Sequence, residues 1–305
     1  MDGGDVKKRK LVFVTYNVWF GTRRETKEEL RPRFTALFKI VESKDADVVC
    51  FQEMTTNIIA LLMEQEWIRQ RYWITDTDEA RTFLGYGVLM LSKLPYKHLR
   101  LQELPTQLGR KVLVAEFSLN GQSFAVATSH LESYTKDAPI RAKQLRVIRH
   151  ILHDQHYNNA VIMGDFNFAS AAERLGSLGS TMKDYRDQWL ELKGPEVAGY
   201  TYDAHKNLML KKIKRAKKER VRIDLILSRS KNWRPAEVLL LGTRPIEHVY
   251  NGTEATYDER DDSSSSDDSD SGTDSESDSE DSDDEGKVVY PSDHFGLYGV
   301  LEFAD

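Results

Sequence analysis

A single cysteine, Cys50, stands in 305 residues. One thiol excludes an intrachain disulfide framework and a cysteine-based zinc site, and it fits a reducing compartment. No apolar stretch approaches the roughly 20 residues needed to span a bilayer, so no transmembrane anchor is expected. The first ten residues are polar, with the run KKRK at 7–10 and no apolar segment of the kind a secretory signal carries. An intracellular protein is expected. No internal repeat is present. Core-forming residues are not scarce: 40% of the chain is hydrophobic, enough for one large domain or two small ones.

The formal net charge of -6, from 43 Lys+Arg against 49 Asp+Glu, hides a split. Residues 258–286 hold 15 acidic residues and one arginine, a net of -14. The remaining 276 residues therefore carry 42 basic against 34 acidic groups, or +8. A basic folded part favours a polyanionic ligand over an acidic protein partner. The acidic tract mixes ten serines with Asp and Glu and has no apolar residue, so it cannot offset its ordering entropy and is expected to be disordered. It reads either as a passive solubilising loop or as a tethered polyanion that competes with nucleic acid for a basic groove. A second charge run, KKIKRAKKER at 211–220, reads as a backbone contact for nucleic acid, a solvated face or an import signal.

Residues 11–18 and 46–51 are short β-branched and aromatic runs, which predicts buried strands. Between them, Leu30, Phe34, Leu37, Phe38 and Val41 recur at helical spacing over residues 25–43. A second helix is predicted over 55–69, with Thr55 or Thr56 as its N-cap. Residues 86–92, 111–119 and 123–128 read as strands, the last two joined by the hairpin signal Asn120-Gly121. A helix at 138–156, a buried strand at 160–164 and late strands at 222–227, 236–241 and 295–303 complete the pattern. Strand-rich segments interrupted by three or four amphipathic helices predict a four-layer α/β sandwich, two packed mixed β-sheets flanked by helices. Trp67, Trp73 and Trp233 are expected in its core.

Polar residues gather at the predicted strand ends. Asn17 ends the first strand, Glu53 the second and His130 the hairpin strand; Asp165 and Asn167 follow 160–164, Asp224 lies in a late strand, and Asp293-His294 precedes the last. An Asn or Asp after a strand is ordinarily a turn former or a cap, so the set carries the argument rather than any member. Its chemistry is that of phosphodiester hydrolysis. Glu53 offers a hard carboxylate for a Mg²⁺ that keeps several waters, and Asp165 suits orienting or deprotonating a water. Asn17, Asn167, His130 and His294 suit hydrogen bonding to a phosphorane whose charge grows in the transition state. Asp224 suits holding the His294 ring in one tautomer and protonated.

Six segments, TYNVWF at 15–20, FQEMT at 51–55, SHLES at 129–133, GDFN at 164–167, RIDLIL at 222–227 and PSDHFG at 291–296, stand in the order typical of the endonuclease/exonuclease/phosphatase superfamily. The resemblance spans residues 11–303 apart from the acidic tract. Within the superfamily the chain most resembles the phosphodiesterases that act on tyrosyl-DNA 5′ ends, through SHLES followed by a helix containing RAKQLR, DQW at 187–189 and GYTYDAHKN at 199–207. The resemblance implies a basic tail at 1–10 and a catalytic domain at 11–305. It implies Glu53 and Asp293 as metal-site residues for Mg²⁺, with Mn²⁺ as a substitute, and Asp165 as the water-orienting carboxylate. Asn17, His130, Asn167 and His294 become phosphate contacts, Asp224 the partner of His294, and Ser133, Tyr202 and Arg110 substrate contacts. The chain departs from the group in two places: GDFN is followed by Phe168-Ala169-Ser170 where the group commonly has an Arg, and Tyr202 stands where it typically has a Trp.

The activity so implied is hydrolysis of the 5′-phosphotyrosyl bond between DNA and a trapped protein of the topoisomerase II type, in DNA repair. The chain would act as a monomer in the nucleus, and also in the cytoplasm, on DNA with 5′-phosphotyrosyl or blocked ends and on RNA, with no membrane partner. The same residue types also serve an apurinic endonuclease, a deadenylase-like ribonuclease or a phosphoinositide or sphingolipid phosphodiesterase. A nucleic-acid-binding module without turnover is the reading from another class.

Overall fold

The computed structural model describes residues 4–21, 26–77, 79–82, 85–154, 157–211, 219–246 and 288–304. The acidic tract at 258–286 and residues 212–218 of the basic run lie outside the described residues. The first half of the chain forms β1 (Lys10–Asn17), α1 (Lys27–Ser43), β2 (Val48–Met54), α2 (Thr56–Glu64), α3 (Glu66–Arg71), β3 (Trp73–Ile74), β4 (Gly87–Ser92), β5 (Tyr96–Glu103), β6 (Lys111–Leu119) and β7 (Gln122–His130). The second half forms α4 (Ala138–Asp154), β8 (Asn159–Asp165), α5 (Ala171–Ser180), β9 (Arg186–Asp187), α6 (Gln188–Lys193), β10 (Tyr202–Asp203), α7 (Leu208–Lys211), β11 (Arg220–Val221), β12 (Asp224–Arg229), β13 (Trp233–Leu241) and β14 (Gly296–Phe303).

Two six-stranded sheets result, in the orders β13-β14-β1-β2-β4-β3 and β5-β6-β7-β8-β12-β9, and β10 pairs with β11 in a separate ribbon. Each large sheet is mixed for the same reason. β1 and β2 are parallel around the α1 crossover, β7 and β8 are parallel around α4, and the other pairs are antiparallel. Three apolar layers separate the four structural ones. Phe13, Cys50, Met90, Phe117, Met163 and Leu297 fill the space between the sheets. Val14, Tyr16, Phe34 and Phe38 pack beneath α1, while Val114, Leu145, Ile148 and Ile162 pack beneath α4. Neighbouring residues of one strand thus enter different cores, which is why these strands read as unbroken apolar runs instead of an alternation. The four-layer α/β sandwich expected from the pattern is the fold observed.

Several local expectations need correction. The helix expected over 55–69 is two helices, broken at Gln65, whose ψ of 117° is extended. The break returns Trp67 and Ile68 to the core that α2 already fills. Trp73, expected in the core, is 43% exposed on the short strand β3. β5 was absent from the pattern because its residues are mostly exposed and it pairs with β6 alone. The hairpin signal holds: Asn120 and Gly121 have φ of 52° and 76°, both positive as a type I′ turn requires. Residues 5–8 dock on that turn, through Val6 N to the Ser118 carbonyl at 3.0 Å and Asn120 N to the Val6 carbonyl at 3.0 Å.

Gly164 on β8 marks a close approach of β7 in the sheet that carries much of the site. Its φ is +141°, and a Cβ there would be driven into the carbonyl oxygen of Ser129 on β7. Overpacking against rigid backbone at a strained φ costs about 3 kcal/mol. Gly164→Ala should lower the urea unfolding midpoint by that equivalent. A midpoint within error of the parent would show that β7 and β8 yield here.

Candidate active site

Strand register brings the polar residues together. Asp165 ends β8 and lies opposite His130 on parallel β7 and opposite Asp224 on antiparallel β12. Three titratable groups therefore share one rung. The other sheet reaches the same point through Asn17 at the end of β1, whose Nδ2 donates to Asp165 Oδ2 at 3.0 Å and to Glu53 Oε1 at 3.3 Å. Asn17 and Asp165 also do the bland work expected of such residues. Asn17 Oδ1 accepts from Trp19 N at 3.1 Å, Asp165 Oδ1 accepts from Asn167 N at 2.9 Å, and Trp19 and Asn167 adopt positive φ of 51° and 52°. Each strand end is thus closed by a side-chain-to-backbone turn. Glu53 sits where the β2–β4 register slips between Phe51 and Met54, at φ 64°, and its Oε2 accepts from Phe20 N at 3.3 Å.

His294 completes the centre from the other end of the chain. Its Nδ1 lies 2.9 Å from Asp224 Oδ2, and the ligand-type atoms of Asp165, Asp224 and His294 all lie within 4.8 Å of one another. Burial alone would push the His294 imidazole down, but the Asp224 and Asp293 carboxylates outweigh it and hold the pKa well above the usual value. His130 is the opposite case. Burial, the Arg110 guanidinium and His294 hold it well below the usual histidine value. A neutral His130 satisfies its neighbours if Nε2–H donates to Asp165 Oδ2, 3.2 Å away, and Nδ1 accepts from Arg110 at 3.1 Å. These directions favour an imidazolium at His294 and a neutral imidazole at His130, on either side of one carboxylate. Burial first, and the Asp224 carboxylate opposite, push the Asp165 carboxyl up from the ordinary range.

The structure brings every expected site residue to this neighbourhood. Arg110 donates to the Ser133 hydroxyl at 2.9 Å and to the Tyr86 hydroxyl at 3.1 Å. Tyr202 meets the His294 ring edge-on, with centroids 5.2 Å apart. Asn167 Nδ2 donates to the Leu131 carbonyl at 3.0 Å, so one of its two amide hydrogens is already used. Asp293 Oδ1 is 3.9 Å from His294 Nε2.

Which carboxylates suit a cation follows from their existing bonds. Asp224 and His294 already hold each other, and an imidazolium has no lone pair for a metal. Glu53 accepts two weak hydrogen bonds, and Asp293 is pushed up by burial and by the Glu53 charge, with His294 and Arg33 pulling back. Two hard oxygen donors that repel one another fit a divalent cation with few protein ligands. Glu53 and Asp293 are therefore the better-suited pair, although Asp165, Asp224 and His294 form the tighter cluster.

Positioning residues were missed in the sequence. Arg33 on α1 is buried and donates to the carbonyls of Val18 at 2.7 Å, Trp19 at 2.6 Å and Pro291 at 2.9 Å, tying the loop after β1 to the loop before β14. The Ser292 hydroxyl donates to the Asn17 carbonyl at 2.7 Å and accepts from His294 N at 3.2 Å. Thr201 Oγ1 accepts from Asp224 N at 3.0 Å. Ser292 and Thr201 lie inside the segments PSDHFG and GYTYDAHKN, a signal that was available; Arg33 on a helix face gave none.

A model described as the Endonuclease/Exonuclease/phosphatase family matches residues 14–294. The chain belongs to this family. Among curated members it is 28% identical over 207 residues to tyrosyl-DNA phosphodiesterase 2 of Danio rerio, covering 67% of this chain and 53% of that protein. It is 30% identical over 172 residues to the Xenopus laevis protein of the same name, covering 54% and 44%. The chain spans about half the length of the curated relatives it matches. Its fold is shared with crystalline D. rerio TDP2 complexed with a single-strand DNA product, at a TM-score of 0.68 and 22% identity, over 97% of this chain and 100% of that one. It is shared also with the human Nocturnin catalytic domain, at 0.61 and 13%, over 97% and 94%. The family is divalent-metal dependent, and an acidic cluster that includes Asp165 and Asp224 lies at this centre.

The raised Asp165 pKa has a consequence for stability. The native state keeps a proton that the unfolded chain releases, so the ionised carboxylate costs stability above its folded pKa, and the cost fades as pH falls towards the unfolded value near 4. Without metal, Asp165→Asn should gain about 1–2 kcal/mol in urea unfolding at pH 8 and nothing near pH 4. A loss at pH 8 would mean that the Asp165 charge is welcomed by the fold.

Proposed function

We propose that the chain is a divalent-metal-dependent phosphodiesterase that releases a tyrosyl group from the 5′-phosphate of DNA, freeing ends blocked by a trapped protein in DNA repair. The observation that carries the hydrolytic reading is the convergence on Asp165 of His130, of Asn17 and of the Asp224–His294 pair. His294, held by Asp224, is a charged donor for a non-bridging phosphate oxygen whose charge grows, and neutral His130 is a second donor site. Asp165, with its raised pKa, takes the proton of the attacking water as the water oxygen bonds to phosphorus. The phosphorus–oxygen bond opposite breaks and the phenolate leaves with the electron pair. Its conjugate acid has a pKa near 10, far below that of a sugar alcohol, so departure needs little help. Asn17 keeps Asp165 and Glu53 in register, and Arg33 and Ser292 exclude slack from the two loops. A divalent cation bound by Glu53 and Asp293, Mg²⁺ in this reading with Mn²⁺ as a substitute, would neutralise charge on a phosphate oxygen.

The tyrosyl specificity is supported by the relatives, which carry the name tyrosyl-DNA phosphodiesterase 2. The reading takes DNA with a 5′-phosphotyrosyl or blocked end as the partner, with RNA secondary. The reading takes the chain as a monomer, and the basic runs at 7–10 and 211–220 support a nuclear location.

One preparation assayed on a 5′-phosphotyrosyl oligonucleotide, an abasic duplex and poly(A), with and without EDTA, tests the reading. Tyrosine release that EDTA stops, exceeding turnover of the other two, is expected, and Glu53→Ala should lower it at least 10²-fold while the thermal melt stays cooperative. Preferred cleavage of the abasic duplex or poly(A) would replace the tyrosyl reading. Binding without EDTA-sensitive turnover would leave a nucleic-acid-binding module.

A further inference from the structure

Two residues before Tyr202, the ring of Tyr200 carries the guanidinium of Arg220 at 4.8 Å from its centroid. Arg220 is exposed on β11, and Asp203, its register partner on β10, holds it at 3.3 Å. Beside this stack, Arg174 on α5 donates from Nη1 to the Arg222 carbonyl at 3.4 Å, while its Nε is buried with no hydrogen-bond partner among the described residues. Arg222 cannot help, because its own guanidinium is spent on Asp187 at 2.7 and 2.8 Å. The row borders the reaction centre. Thr201 bonds Ile223 N and Asp224 N, the Ile223 carbonyl accepts from Phe166 N beside Asp165, and the next residue, Tyr202, meets His294.

Breaking the phosphorus–oxygen bond uses none of these three side chains; Arg220 is exposed over the Tyr200 ring, and Arg174 keeps a donor without an acceptor among the described residues. An exposed guanidinium over a tyrosine ring is a ready partner for a nucleobase, and Arg–base stacking tolerates every base. A buried arginine donor without an acceptor is costly until an anion such as a phosphodiester oxygen meets it. We infer that Tyr200, Arg220 and Arg174 form a strand-holding subsite for a nucleotide beyond the one that carries the scissile phosphate. Arg220 on Tyr200 takes the base and Arg174 the intervening phosphodiester. The inference rests on the phosphodiesterase reading proposed above.

The test compares two substrates, a 5′-phosphotyrosyl hexanucleotide and the tyrosyl ester of thymidine 5′-monophosphate, which has nothing to place in the subsite. Arg220→Ala and Arg174→Ala should each raise the hexanucleotide KM about tenfold with kcat within about twofold, and leave both constants for the mononucleotide unchanged. Arg220→Lys, which keeps the charge and loses the flat face, should fall between. Arg174→Ala should also reduce the salt slope of hexanucleotide KM by about 0.7, one single-strand phosphate contact. Equal shifts on both substrates, or none on either, would overturn the subsite. If the half-buried Arg174→Ala does not fold, Arg220→Ala decides alone. If the parent turns over neither substrate, the phosphodiesterase reading fails by itself, and anisotropy of a labelled hexanucleotide reads the subsite. Weaker binding by Arg220→Ala then supports it, and unchanged binding overturns it.

Discussion

Asp165 and Asp224 face each other across the β8–β12 ladder, two buried carboxylates on one rung. Uncompensated, such a pair costs several kcal/mol per charge. Relief comes from His294, whose imidazole bonds Asp224, and from the Asn17 amide, which bonds Asp165 from the other sheet. Much else in the molecule keeps those two groups in place. Ser292 fixes the His294 backbone to the Asn17 carbonyl, Arg33 clamps the loops on either side, and Thr201 anchors the backbone of Asp224 itself. The compensation is partial, since Asp224 Oδ1 is buried without a partner among the described residues.

The same rim stores backbone strain. Trp19, Glu53 and Asn167 are non-glycine residues at positive φ, each within two residues of a strand end that carries a site group. Such conformations cost about 1–3 kcal/mol each and persist only where surrounding contacts over-determine them. Here those contacts are identifiable: Arg33 on the Trp19 carbonyl, Asn17 and Phe20 N on the Glu53 carboxylate, and Asp165 on Asn167 N. Stability is given up to aim carboxylates, the usual trade between an active site and the fold around it.

The architecture was legible because β1, β6 and β8 are apolar on both faces and the α1 and α4 crossovers keep helical period. The β6–β7 turn was legible from two residues, Asn120 and Gly121. Legibility failed where tertiary contact overrides local pattern. Gln65 breaks a continuous helical period so that Trp67 can turn inward, and β5 hides an edge strand in an exposed polar segment. At the site, residues whose chemistry is carried at strand ends could be picked out from position and type. Arg33 could not, because its acceptors Val18, Trp19 and Pro291 come from opposite ends of the sequence and meet only in the fold. The pairing of Asp165 with Asp224 likewise depends on register, which no local signal specifies.

The account turns on Asp224 holding His294 as a charged donor while the cation goes elsewhere. The direct measurement is the anomalous density of Mn²⁺ in crystals grown with a 5′-phosphorylated oligonucleotide. The account predicts one metal peak bridging the Glu53 and Asp293 carboxylates, the Asp224–His294 hydrogen bond intact, and a phosphate oxygen within hydrogen-bonding distance of His294 Nε2. A metal peak among Asp165, Asp224 and His294, with that hydrogen bond broken, would contradict it.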